Sequence, residues 1–126
     1  MLMLNFLNTR DLALLQKGLD AIWLRQTVIA DNIANIDTPH YKAKYVEFES
    51  VLQSKMGGLT SAAAVNSIQP RVITDNTTQA RYDGNNVDID QQGIESARAK
   101  IQYDYMVQKL TNEFARLKYA ITEGKG

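Results

Sequence analysis

Apolar residues recur at alternating steps of three and four along the first third of the chain: Leu12, Leu15, Leu19, Ile22, Ile29, Ile33 and Ile36, with Gln26 the one polar member of the series. This is the spacing of a coiled-coil seam on an α-helix. Leu14, Ala21 and Val28 repeat every seven residues on roughly the opposite side, near Leu24, so the helix carries a second apolar stripe. Thr9 or Asp11 stands where a cap is needed. Pro39 ends the helix, because proline pushes Thr38 out of the helical region and has no amide hydrogen to donate. About 25 residues of helix make a rod of roughly 37 Å.

The C-terminal third repeats the theme. Tyr103, Val107, Leu110, Phe114, Leu117 and Ile121 step by four and three without a polar interruption, and Ile94, Ala97, Ile101 and Tyr105 mark another stripe about half a turn away. Glu95 with Arg98, and Lys109 with Glu113 and Arg116, sit at spacings that support an exposed helix. Asp88 or Asp90 is its expected cap. Between the helices, "YKAKYVEF" alternates like an extended segment and "QPRVIT" has the makings of one short strand. The rest of the middle holds "GG", "TSAAA", Pro70 and "TDNTTQARYDGNN", with few residues able to build a core.

The pattern divides the chain into an N-terminal helix (1–36), a Thr-Pro turn with an extended segment (37–49), a variable, flexible middle (50–86) and a C-terminal helix (87–126). The expected fold class is mainly α: long antiparallel N- and C-terminal helices in a coiled-coil-like hairpin, with an irregular, partly extended middle. A long helix with two apolar stripes needs a second neighbour, so the hairpin is expected to continue its packing between molecules.

Charge and composition narrow the partners. The 126 residues carry 14 basic and 14 acidic side chains, a formal net charge of zero, which gives no field for nucleic acid or an anionic membrane. No run approaches the about 18 apolar residues of a membrane span, so direct membrane insertion is not expected. The start "MLMLNFLNTR" has no basic residue ahead of its apolar run and no small-residue cleavage site after it, so no cleavable signal peptide is expected. The chain has no cysteine, which removes disulfides, thiolate metal sites and thiol nucleophiles. His40 is the sole histidine and has no acidic partner fixed beside it in the sequence. "YDGNNVDID" fails as a calcium loop: Gly84 directly follows Asp83 instead of standing sixth, and Ile94 occupies the position of the closing glutamate. The sequence therefore assigns no catalytic, cofactor-binding or metal-binding residue, and Tyr103 and Tyr105 are packing residues rather than a stacking platform.

"IADNIANIDTPHYKAKYVEFE", Ile29 to Glu49, resembles the N-terminal signature of the bacterial flagellar rod, hook and hook-associated axial proteins, where a helix ends in an Ala-Asn segment followed by Thr-Pro-Gly-Tyr-Lys. The matching positions are Asn32, Ala34, Asn35, Thr38, Pro39, Tyr41 and Lys42. With the "GNNVDID" entry to the second helix and the short chain, the likeness is to the proximal rod members of that family. His40 departs from it, since the family has glycine there; if that residue takes a positive φ, histidine costs about 1 kcal/mol.

The resemblance implies a structural subunit in the periplasmic rod of the flagellar basal body, which transmits torque by helix packing and is exported unfolded through the type III apparatus. It implies as partners copies of the chain itself, other flagellar rod proteins, the rod adaptor protein and the MS-ring protein. The two seams, Leu12 to Ile36 and Tyr103 to Ile121, become the assembly interface, and the extended segment after Pro39 would lie across an adjacent subunit. The seams alone equally allow a soluble dimeric coiled-coil adaptor or export chaperone, and the signature alone allows a paralogous proximal rod protein.

Overall fold

A computed structural model describes residues 9–124. Two helices dominate it: α1, Thr9–Ala34, with 26 residues, and α4, Ile89–Gly124, with 36. At about 1.5 Å per residue they are roughly 39 Å and 54 Å long. Followed back along α1, Asn32, Gln26 and Gly18 meet Gln92, Ser96 and Met106 in turn on α4, so the pair is antiparallel. The predicted units reached to residues 1 and 126; residues 1–8 and 125–126 lie outside the described residues. Helix α1 stops at Ala34 rather than residue 36, and Asp88 caps α4 by accepting from the amides of Asp90 (2.9 Å) and Gln91 (3.3 Å).

The tightest crossing is at Gly18, where an added Cβ would lie 2.7 Å from the terminal methyl of Met106. Glycine weakens a helix interior by about 1 kcal/mol relative to alanine, and here it lets the thioether lie on the α1 backbone. Gly18→Ala requires only that a flexible side chain turn. Gly18→Val adds a branched side chain to a filled space, so it is expected to lower stability by about 1–3 kcal/mol in urea unfolding.

The segments between the helices form β1 (Lys44–Glu47), α2 (Glu49–Ser54), a single 3₁₀ turn at Met56–Gly58, α3 (Ala62–Asn66) and β2 (Arg71–Thr74). Strands β1 and β2 pair antiparallel, Lys44 opposite Thr74 and Glu47 opposite Arg71, and the Arg71 guanidinium reaches the Glu47 carboxylate at 2.6 Å. "QPRVIT" is thus a strand, and its partner is the alternating segment after Pro39. That segment is held in its own subunit's sheet.

The middle also contributes most of the main apolar core. Phe48, Leu59, Val65 and Ile68 close over Ala13 and Ala21 of α1, with Leu14, Val51, Leu52, Ala62 and Ala64 around them. The expectation of a middle with few residues able to build a core is corrected here: Leu59, Val65 and Ile68 are scattered in short elements, and their value comes from the α1 stripe they cover. That same packing uses the second apolar face of α1 inside the subunit, where an intermolecular neighbour was expected. On the first face Ile22 and Ile29 are buried, Leu12, Leu15 and Leu19 are half-buried, and Ile33 is exposed. Ile36, beyond the helix end, is half-buried.

Helix α4 behaves differently. Gln92 and Ala99 are buried, and Met106, Leu110 and Leu117 are half-buried on the side toward α1. Tyr103, Val107, Phe114 and Ile121, expected to pack in that seam, form an exposed flank beside it, Phe114 at 54% exposure. The helix is rotated so that small Ala99 and flexible Met106 meet α1, leaving the bulkier edge of the stripe outside. Ile94, Ile101 and Tyr105 on the far side are exposed as well, Ile101 at 71%.

Candidate functional site

Asn32, at the last turn of α1, is fully buried. Its amide nitrogen donates to the Lys44 carbonyl (2.7 Å) and to Gln92 Oε1 (3.0 Å), while its oxygen accepts from the Lys44 amide (2.9 Å) and the Tyr41 hydroxyl (3.3 Å). Both donors and both acceptor sites of the side chain are therefore used. The side chain pairs with Lys44 as a neighbouring strand would, and it ties α1, β1 and α4 at one point. Burial, and then the nearby Asp31 carboxylate, push the Tyr41 phenol above its ordinary range, so it remains a donor.

Beyond α1 the chain turns on Asn35. Its side chain donates to the Asp31 carbonyl (2.8 Å) and accepts from the Thr38 hydroxyl (3.0 Å), and its carbonyl accepts from the Thr38 amide (3.0 Å). After Pro39 the backbone of His40 stands at φ 62°, the left-handed region, where the His40 amide donates to the Asp83 carbonyl (2.9 Å). Gly84, at φ 85°, lies against it; a Cβ there would stand 2.6 Å from His40 Nδ1. His40 thus occupies the conformation for which glycine is favoured. His40→Gly is expected to raise stability by about 1 kcal/mol, measured by thermal or urea unfolding, and a loss instead would show that the ring's contact with Gly84 outweighs the strain.

The segment before α4 closes on this turn. Lys42 Nζ donates to the Gly84 carbonyl at 2.6 Å. Asn85, fully buried, donates to the carbonyls of Asn35 (2.8 Å) and Thr38 (2.9 Å) and accepts from the Val87 amide (2.8 Å). Asn86 accepts from the Ala43 amide (2.6 Å) and donates to the Asp75 carbonyl (2.7 Å). Arg81 donates to the carbonyls of Val87 (2.8 Å) and Ile36. Two stretches that stand far apart in the sequence, "NIANIDTPHYK" and "RYDGNNV", are thus one hydrogen-bonded junction.

Of the signature positions, Asn32, Asn35, Thr38, Tyr41 and Lys42 come together here, while Ala34 at the end of α1 and Pro39 in the turn are exposed. Sequence reasoning missed Arg81, Asn85, Asn86 and Gln92; the doublet Asn85-Asn86 was the available signal, and it looks like a plain turn until its partners are in place.

Beside the junction a groove of about 760 Å³ opens between α1, β1 and the first turns of α4. Arg25 crosses its floor, donating to the Glu49 carboxylate (Oε1 at 2.7 Å), the Val46 carbonyl (3.4 Å) and Gln102 (3.4 Å), and the Arg25 hydrogen bond holds Glu49 below the usual carboxylate range. Asp75 is held well below its usual value, first by the Thr78 hydroxyl and then by the Thr77 amide. Its carboxylate organises its own turn, as Asp88 organises the start of α4. These four charged side chains of the groove, Arg25, Glu49, Asp75 and Asp88, therefore serve structural bonds. Among the described residues no group of three or more His, Asp or Glu side chains is placed to hold a metal, and no helix is long and apolar enough to cross a membrane.

A family model described as flagella basal body rod protein matches residues 15–42, from the middle of α1 through the turn to Lys42. The chain is 33% identical over 119 residues to the flagellar basal body rod protein FlgB of Bacillus subtilis (strain 168), covering 88% of this chain and 92% of that protein. It is 32% identical over 112 residues to FlgB of Borreliella burgdorferi, covering 75% and 79% respectively. Against FlgB of Escherichia coli (strain K12) the identity is 29% over 125 residues, with 86% and 91% covered. Matches of this extent take in the junction and reach into both long helices, and on them the chain belongs to the FlgB family of flagellar basal body rod proteins.

Proposed function

We propose that the chain is a structural subunit of the proximal rod of the bacterial flagellar basal body, built to join a helical shaft and pass torque through packed helices. The observation that carries this is the contrast between the helices: within the subunit the second apolar face of α1 is covered and all of its first face but Ile33 is at least half-buried, whereas α4 leaves two apolar stripes exposed. Apolar surface on that scale calls for a partner. The junction fixes the angle at which the sheet and core leave the helix pair, so an assembled subunit would resist twisting.

On this reading the neighbours are copies of the chain, other rod proteins, the rod adaptor protein and the MS-ring protein. The chain reaches the periplasmic rod through the type III export apparatus, and it has no catalytic step. A dimeric adaptor or chaperone is not favoured, because the family is one of rod proteins. The test is complementation: the chain is expressed in a flagellated bacterium lacking its own FlgB, and basal bodies are isolated. Recovery of the chain in the rod with restored swimming is expected; a stable helical dimer in solution and absence from basal bodies would overturn the reading.

A further inference from the structure

Helix α1 has a third face. Gln16, Asp20, Trp23, Thr27 and Asp31 are exposed along it, with Trp23 at 69%. The Thr27 hydroxyl is turned back to the Trp23 carbonyl (3.1 Å), which leaves the indole as the prominent feature of this face. Every charged residue that is exposed on α1 is an aspartate: Asp11, Asp20 and Asp31. On α4, by contrast, the exposed flank of Tyr103, Val107 and Phe114 is edged by Lys100 and Lys118, which stand five turns apart on one row at 3.6 residues per turn. Asp104 lies one row further out. Among the described residues neither lysine is in an ion pair, nor is Asp20 or Asp31.

Resting on the rod-subunit reading, we propose that Trp23 anchors a head-to-tail contact in which the acidic outer face of α1 receives the lysine-edged flank of α4 from a second copy. The two surfaces complement each other in charge, and the Trp23 indole, standing alone among polar and acidic residues, would find in Tyr103, Val107 and Phe114 an aromatic and apolar bed of the kind that dominates binding energy at interfaces. They cannot meet within one subunit, because Trp23 points away from the side of α1 that holds α4. Each copy offers one of each surface, so the contact is heterologous and propagates instead of closing as a two-fold dimer.

The absence of cysteine makes this testable with a clean background. Thr27→Cys, one turn from Trp23, is combined with Thr111→Cys, or with Ala115→Cys as a second geometry, both beside the α4 flank and exposed, in the full chain replacing the host's FlgB, so that the anchor and its partners stay in place, and isolated basal bodies are oxidised. A disulfide requires Cα atoms within about 7 Å, so only a direct contact is trapped. A covalent ladder of dimers, trimers and larger species is expected. Dimers alone would overturn the head-to-tail arrangement, and rods that contain the chain but give no covalent product with either pair would overturn the contact. The native chain is scored in the same preparation: its absence from basal bodies overturns the rod reading, whereas its presence without a ladder overturns only the contact. Asp20→Lys with Asp31→Lys is expected to cut incorporation at least ten-fold, and Lys100→Glu with Lys118→Glu in the same chain to restore it; incorporation unchanged by the first pair counts against the proposal.

Discussion

Replacing Asn32 with leucine is expected to destabilise the subunit by about 2–4 kcal/mol, a large share of the 5–15 kcal/mol typical of a domain. The loss has a specific origin. Leucine is near asparagine in size but leaves the Lys44 amide and carbonyl, the Gln92 oxygen and the Tyr41 hydroxyl without their shared partner. An unpaired buried polar group costs about 1–3 kcal/mol, and the groups nearer the surface recover part of this from water. Asn32→Asp keeps the acceptor for Lys44 and Tyr41 but turns a carboxylate toward two oxygens, so it should be at least as harmful at neutral pH. Acidification should relieve it in part, once the carboxyl is protonated and can donate. Urea unfolding of both variants at pH 7 and pH 4 provides the measurement. A change below about 1 kcal/mol for Asn32→Leu would mean that the buried amide is not what holds α1, β1 and α4 together.

The second large effect concerns Phe114. In the isolated subunit Phe114→Asp should leave stability within about 0.5 kcal/mol, because the ring is exposed and an exposed helical position tolerates a charge. In an assembled rod the same carboxylate would be buried against an apolar neighbour, at a cost of several kcal/mol, and incorporation should fail. Leu110→Asp is the contrasting variant. Leu110 is half-buried toward α1, so its replacement should damage the subunit itself. Paired measurements of unfolding midpoint and rod incorporation separate the two. Equal destabilisation of both isolated variants, or normal rods from Phe114→Asp, would remove the exposed flank from any role in assembly.

These variants also mark where the sequence stops being informative. Helices of 26 and 36 residues declare themselves by periodicity, because each repeats its pattern over many turns. The strand in "QPRVIT" was legible too, though not its partner, and so was the strain at His40, from a histidine set against the family's glycine. A stripe shows that a face is buried, however, and not by what. Leu14 and Ala21 look like an intermolecular surface until Val65 and Ile68 are found in one core with them. The rotation of α4 was hidden for a related reason: its apolar stripe is wider than one neighbour can cover, and periodicity cannot tell which edge that neighbour takes. Asn85 and Asn86 are polar residues in a polar loop, and only the distant carbonyls and amides they meet reveal them as interior.

The junction joins partners that are far apart along the chain: Asn85 is 50 residues from Asn35, and Gln92 is 60 from Asn32. Contacts of such separation form late, since the intervening chain must be confined before they repay it. A polypeptide threaded through a narrow passage from either end cannot make them until both stretches have emerged. The bend after α1 is in this sense a latch whose two halves arrive at different times. On the proposed export route it would stay open during transit and close only once nearly three-quarters of the residues had been delivered, which would tie the moment of locking to the end of passage rather than its beginning.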